Sequence, residues 1–230
     1  MKDNRIFVGS VIAVIAIVAG LALGSLMWRQ QTPEIAALPK AEVADTELGK
    51  MFGVDKNITV ETIDKYLGRS DSVYRDMRML EDPAAYEEIG GDRYLSGIVK
   101  GFEVVSLPYL TNVEGLPEQV GKTYEGKTLF TVKDGKYIAN YAESKTIIED
   151  LFPKDKYIFL MCGGGGYAGM TKQMLVSLGW NADKIYVVGG YWYYEGQNDA
   201  KIKEDDGSYA FWKLAYHQID FDHLTEAQND

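Results

Sequence analysis

Cys162 is the only cysteine in the chain, and four consecutive glycines follow it, Gly163 to Gly166. It closes an apolar run, Tyr157-Ile158-Phe159-Leu160-Met161, and a helix-like stretch begins beyond the glycines. A strand, a turn of bare backbone and a helix N-terminus form a cradle of N–H groups that attracts negative charge. A thiol in such a cradle is drawn toward thiolate, the nucleophilic form. Cys162 is therefore the candidate catalytic residue. Gly163, Gly164, Gly165, Gly166, Tyr167 and Ala168 form the candidate anion-holding loop. The plainer alternative is a flexible turn before a helix, beside an inert buried thiol.

Other chemistries fit less well. Gly164 to Thr171 has the glycine spacing of a phosphate loop, but Met170 stands where that loop needs its lysine and Lys172 comes two residues late. His217 and His223 are the only histidines; they lie in the tail away from Cys162, so they read as structural or solvated and no metal site is expected. The net charge of −10 argues against a nucleic-acid partner, which needs a basic face, and against adhesion to anionic lipid.

The elements that must position Cys162 are legible around it. Tyr157 to Met161 reads as a buried strand, and Met170, Met174, Leu175 and Leu178 lie on one side of the helix after the glycines, with Gly179 as its C-terminal cap. Ile185 to Val188 is a second short buried strand, followed by Gly189-Gly190 and the aromatic run Tyr191 to Tyr194, read as core and pocket wall. Upstream, Glu143 to Phe152 shows helical periodicity and Pro153 stops it. Asp134-Gly135 between two apolar stretches marks a hairpin within Gly121 to Tyr141. Ser72 to Met79 reads as a strand, Asp82 to Gly91 as a loop or short helix, Ile98-Val99 and Val104 to Leu107 as extended, with Pro108 ending the last. Near Ile58, where the globular part begins, Thr59 is placed to cap a short helix that Gly68 stops. The alternation of helices and strands predicts right-handed parallel crossovers, with functional loops at the carboxyl ends of the strands. Cys162 and Asp76 both fall at such ends. Asp76 and Arg78 stand out on a mostly apolar strand and read as supporting residues, Arg78 pairing with Asp82 or Glu87 and Asp76 accepting N–H groups from a neighbouring loop.

The N-terminus differs in kind. Ile6 to Trp28 carries no charge and exceeds the ~20 residues that span a bilayer core. Residues 1–29 are read as a transmembrane or signal anchor. Lys2 and Arg5 favour an inside N-terminus, which puts the soluble part outside the cytoplasm. Residues 30–57 read as a polar linker with Pro33 and Pro39 discouraging helix, 58–197 as the main domain, and 198–230 as a hairpin at Asp206-Gly207 with a frayed acidic tail.

Several motifs, in order, resemble a single rhodanese domain. Ser72-Val73-Tyr74-Arg75-Asp76-Met77-Arg78 is similar to its early strand ending in Asp-x-Arg. Ser96-Gly97-Ile98-Val99-Lys100-Gly101, then Val105-Ser106-Leu107-Pro108, is similar to its glycine–isoleucine–glycine turn and following strand. Tyr157 to Gly179 is similar to the active-loop strand, cysteine loop and helix, and Ile185 to Gly196 to the last strand, Gly-Gly pair and aromatic turn. The resemblance covers roughly Ile58 to Gly196. It implies an α/β fold, a central mainly parallel sheet flanked by helices, to which the hairpins and the N-terminal transmembrane helix are additions.

It further implies a sulfurtransferase in which Cys162 carries sulfane sulfur as a persulfide held by the loop amides. Its partners would be a small sulfur-containing anion and a thiol acceptor, with no cofactor, contact with the membrane through the N-terminal helix, and no protein partner that the sequence names. Family members that transfer sulfur often carry Arg, Lys or Thr five residues after the cysteine, where this chain has Tyr167, and the region from Gly121 to Tyr141 is longer than the usual connection. A cysteine phosphatase, the related alternative, needs an arginine to hold phosphate, and no arginine follows Cys162. The alternative from another class is a catalytically inactive rhodanese-like binding module at the membrane surface.

Overall fold

The computed structural model describes residues 36–44, 53–80, 96–112 and 126–228. The chain divides into two compact units, Met1–Leu38 and Pro39–Asp230. Of the first only residues 36–38 are described, so the anchor expected over 1–29 lies outside the described residues. So do the expectations for 82–91 and the first part of 121–141. No helix among the described residues is long and apolar enough to cross a membrane.

The second unit is an α/β structure built on a four-stranded parallel sheet. The chain runs through β1 (Val43–Ala44), β2 (Val54–Asp55), β3 (Ser72–Asp76), β4 (Gly97–Val99), β5 (Glu103–Val104), α1 (Leu107–Leu110), β6 (Phe130–Lys133), β7 (Lys136–Ala139), α2 (Ser144–Leu151), β8 (Tyr157–Cys162), α3 (Gly166–Ser177), β9 (Ile185–Gly190) and β10 (Asp199–Lys201). The central sheet has the order β5-β3-β8-β9, with β8 hydrogen-bonded on both sides. A strand in that position must be apolar on both faces, which is why its sequence is a continuous apolar run rather than an alternation.

Period-two geometry divides β8 between two packing layers. Ile158, Leu160 and Cys162 join the core formed with Ile148 and Leu151 of α2, Ala168, Met174 and Leu175 of α3, and Ile185 and Val187 of β9. On the alternate row, the Phe159 ring stacks between Tyr74 of β3 and Tyr186 of β9, with centroids 5.0 and 4.9 Å away. Between Leu160 and Met161 the pairing with β9 slips past Val188, so that Met161 faces Gly189 and Cys162 faces Gly190.

The turns follow from their residues. Asp134 (φ 51°) and Gly135 (φ 72°) both take left-handed angles and join β6 to β7. Pro108 does not end a strand as expected; it sits in the first turn of α1, where its missing N–H costs nothing. The short helix near Thr59 is a 3₁₀ turn at Ile63–Tyr66 whose N-cap is Thr62, while the Thr59 carbonyl accepts the Ile63 N–H at 2.9 Å.

Two boundaries differ from the sequence reading. Residues 39–44 and 53–57 are not a free tether. β1 pairs with β2, and the Asp55 carboxylate, 2% exposed, accepts N–H groups from Glu42, Asn57 and Ile58 at 2.8–2.9 Å. Tyr186 donates its hydroxyl to the Pro39 carbonyl at 2.6 Å. The tail beyond the Asp206-Gly207 turn is not frayed either. The Val104 N–H donates to Ala215, and the His217 N–H donates back to Val104, which lays residues 215–217 along the outer edge of β5. Farther on, the N–H groups of Ala142 and Ala227 donate to Thr225 and Asn140 at 2.8 Å each. β10, unforeseen in the sequence, pairs antiparallel with β4.

Candidate active site

The carboxyl ends of β3, β5, β8 and β9 gather the residues singled out in the sequence. After Cys162 the chain must turn sharply from strand into α3. It does so through Gly165, the N-cap of α3, at φ 104°. A side chain there would be strained, so the third glycine has a backbone reason of its own. The turn aims the amide of Gly165 at the thiol, 3.0 Å from Sγ. The backbone N–H groups of Ala168 and Tyr167, at the start of α3, also act on the sulfur and favour its charged form. Of the six loop residues predicted to hold an anion, Gly165 makes a hydrogen bond to Cys162 Sγ. Gly163 instead offers its carbonyl to the Trp192 N–H at 3.2 Å.

The sulfur is nevertheless buried. Cys162 is 3% exposed and belongs to the apolar core. Burial pushes its thiol above the ordinary value, aided by the charge of Asp76 and opposed by the N–H groups of Ala168, Gly165 and Tyr167. The expectation of a thiol drawn toward thiolate is corrected: desolvation of an anion outweighs the amides that oppose it. Tyr167 is half-buried and packs against the same core. Burial, with a smaller effect of Cys162, pushes its phenol up to about 12, so at neutral pH it is a hydroxyl donor and not a charge.

Asp76 and Arg78 pair with each other. The Arg78 Nη2 lies 2.6 Å from Asp76 Oδ2 and its Nε 3.0 Å from both carboxylate oxygens, while the Arg78 backbone N–H donates to Oδ1 at 3.1 Å. Asp82 and Glu87, the partners anticipated for Arg78, lie outside the described residues. The guanidinium also donates to the Gly97 carbonyl and sits 4.5 Å from the centre of the Tyr191 ring. Both side chains are almost wholly excluded from water. This is a scaffold: it joins β3 to β4 and to the aromatic turn.

Two neighbours escaped the sequence reading. The Ser106 hydroxyl donates to the Arg78 carbonyl at 3.1 Å and meets the Tyr216 hydroxyl at 2.6 Å, which ties the tail to the sheet. Trp192 lies over the glycine loop: a Cβ on Gly163 would come within 2.5 Å of its indole and one on Gly164 within 2.9 Å. The glycine run thus has a packing cause that a sequence cannot show. On the other side, a Cβ on Gly190 would fall 2.0 Å from the Gly163 oxygen. Tyr191 and Tyr194 are buried, Tyr193 is exposed, and only Trp192 of this run lies over the loop.

Among the described residues, no group of three His, Cys, Asp or Glu side chains could hold a metal ion. His217 bonds Glu103 at 2.8 Å and His223 bonds Asp220 at 2.6 Å. Comparison with protein-family models, curated proteins and solved structures found no match.

Proposed function

We propose that this protein is a rhodanese-like sulfurtransferase, anchored by its N-terminal apolar segment with the soluble domain outside the cytoplasm. The observation that carries the reading is the Gly165 amide donating to Cys162 Sγ at 3.0 Å, at the carboxyl end of a central parallel strand and just before the N-terminus of α3. A persulfide on Cys162 extends the sulfur by one atom and is anionic. The Gly165 amide and the positive end of α3 suit that charge without a metal or a cofactor.

The reaction takes two displacements. The Cys162 thiolate attacks the outer sulfur of a donor such as thiosulfate; a new S–S bond forms, the donor's S–S bond breaks, and sulfite leaves with its electron pair. A thiolate or cyanide then attacks the outer sulfur of the persulfide, takes it as R–S–S⁻ or thiocyanate, and returns the Cys162 thiolate. Tyr167 supplies a hydroxyl donor where Arg or Lys would supply charge. Asp76 and Arg78 hold the strand end and do not touch the reacting sulfur.

The test is intact-mass analysis after incubation with thiosulfate. A gain of one sulfur atom, absent in Cys162→Ser, is the expected result; a gain in both proteins or in neither rejects the enzyme. The burial of Cys162 and its raised thiol pKa favour one second reading, a catalytically silent rhodanese-like module that binds a small anion or a partner at the membrane surface. That reading predicts an unmodified mass in both proteins.

A further inference from the structure

We propose that Val54 and Val60 are positioning residues for the Cys162 loop: they fix the end of β9, on which that loop rests, and so keep the Gly165 amide on the sulfur. Val54 belongs to a stretch that reads as linker in the sequence, so part of that stretch joins the site. As an aid to sulfur transfer this rests on the function proposed above, but the placement of the Gly165 amide is a separate quantity and is read separately.

The end of β9 needs support from outside the sheet. Among the described residues β9 is an edge strand, so within the central sheet β8 alone holds it. Its pairing slips past Val188, the mark of a bulge, and the next residue, Gly189, has φ 115°. Successive residues of a strand face opposite ways, and here the two faces meet different layers. On one face, a Cβ on Gly190 would fall 2.0 Å from the Gly163 oxygen and 2.6 Å from the Gly164 Cα, so the loop rests on the strand backbone to backbone. On the other, a Cβ on Gly189 would stand 3.7 and 3.8 Å from the two methyls of Val54 and 3.5 Å from a methyl of Val60, at van der Waals contact. Gly189-Gly190 is thus a thin layer between two valines and the glycine loop. With no side chain to absorb it, a shift of this layer passes to Gly163 and on to Gly165.

Val54 is itself held in place. β2 pairs with β1 and packs on β9. The neighbouring Asp55 carboxylate gathers three backbone N–H groups, and the start of the same arm is tied to β9 where Tyr186 donates its hydroxyl to Pro39. Val54 and Val60 are both buried. Shortening either one opens a space behind Gly189, and the strand end relaxes into it, away from the loop.

The experiment follows hydrogen exchange of the Gly165 amide by NMR in the full chain solubilised in detergent. The reference is the Met77 amide, which donates to the Met161 carbonyl at 2.8 Å and reports the sheet end beside the loop. The proteins are wild type, Val54→Ala, Val60→Ala and, as a core truncation outside this layer, Leu129→Ala, each checked by thermal unfolding.

In Val54→Ala the Gly165 amide is expected to exchange roughly tenfold faster while Met77 keeps its wild-type rate, and loading by thiosulfate slows with it. Val60→Ala acts in the same direction, and Leu129→Ala moves both amides together or neither. An unchanged Gly165 rate in a folded Val54→Ala overturns the proposal. So does equal acceleration of Gly165 and Met77, the mark of general loosening, or a selective acceleration of Gly165 in Leu129→Ala. Should Val54→Ala not fold, Val60→Ala decides by the same results. Faster Gly165 exchange with no sulfur loading in any protein leaves the positioning standing and removes the transferase; loading with an unmoved Gly165 amide does the reverse.

Discussion

The ends of β3 and β8 lie side by side in one sheet, and each buries a polar group by a different device. At the end of β3 the charge of Asp76 is matched by Arg78, two residues away, through several short contacts, and the pair is sealed under Tyr191. Every strong acceptor there is used. At the end of β8 the sulfur of Cys162 has no ion partner among the described residues and accepts the backbone N–H of Gly165, in a run of four glycines. The first device fixes a conformation. The second leaves a donor that serves a thiol poorly and an anion well, so its full value appears only when charge develops on the sulfur. A side-chain ion pair builds the scaffold at the first end, and a backbone amide faces the candidate sulfur at the second.

Breaking the β3 end should cost the most. Arg78→Ala leaves the Asp76 carboxylate buried without its cation, a loss of about 3–5 kcal/mol in denaturant unfolding. A loss under about 1 kcal/mol would show that the pair is not the lock described, on the scale of an exposed ion pair. Next comes the packing beneath the loop. Gly190→Ala drives a Cβ against the Gly163 oxygen, where backbone meets backbone, and overpacking of that kind costs about 1–3 kcal/mol.

The contrast is sharpened by pH. With the thiol pushed up by burial, the alkylation rate of Cys162 should keep climbing above the ordinary thiol range; a plateau at neutral pH would mean that the amides prevail and would erase the distinction. The sign for stability follows from the same shift. The folded protein holds the Cys162 proton more tightly than the unfolded chain, so the contribution is whole below the unfolded thiol value and is lost as pH rises through the folded one. The smallest effect belongs to the tail. Burial pushes Glu103 up, but the hydrogen bond from His217 and the charge of Arg75 prevail and hold its carboxyl below the usual range. That contribution is present above the unfolded carboxylate value and fades as pH falls through the folded one. Because His217 and Glu103 are over a third exposed, His217→Ala should cost only about 0–1 kcal/mol, measured by unfolding at neutral and at acid pH.

Much of the β8 end was legible because its signals are local. The apolar run, the glycines, the periodicity of α3 and the Asp134-Gly135 turn each depend on residues within a few positions of one another. What escaped depends on distant partners. β10 is three residues long and is a strand only because Gly97–Val99 lies beside it. The stretch around Val43 and Val54 reads as polar linker until their pairing and the Asp55 contacts are seen. The aromatic run announced a wall, but nothing in its composition says that Trp192 rather than Tyr193 lies over Gly163 and Gly164. The thiol was misjudged for a related reason: the glycine turn is written in the sequence, whereas the desolvation that opposes the charged form comes from burial of the sulfur in a core that distant residues such as Ile148 and Ile185 help to build.

The clasp between β5 and residues 215–217 carries a cost during synthesis. Glu103 and His217 are separated by 114 positions, so the nascent chain emerges with one border of its sheet uncovered. At ribosomal speed the wait is on the order of 10 s, during which the open N–H and C=O groups beside Val104 are available to any other extended chain nearby.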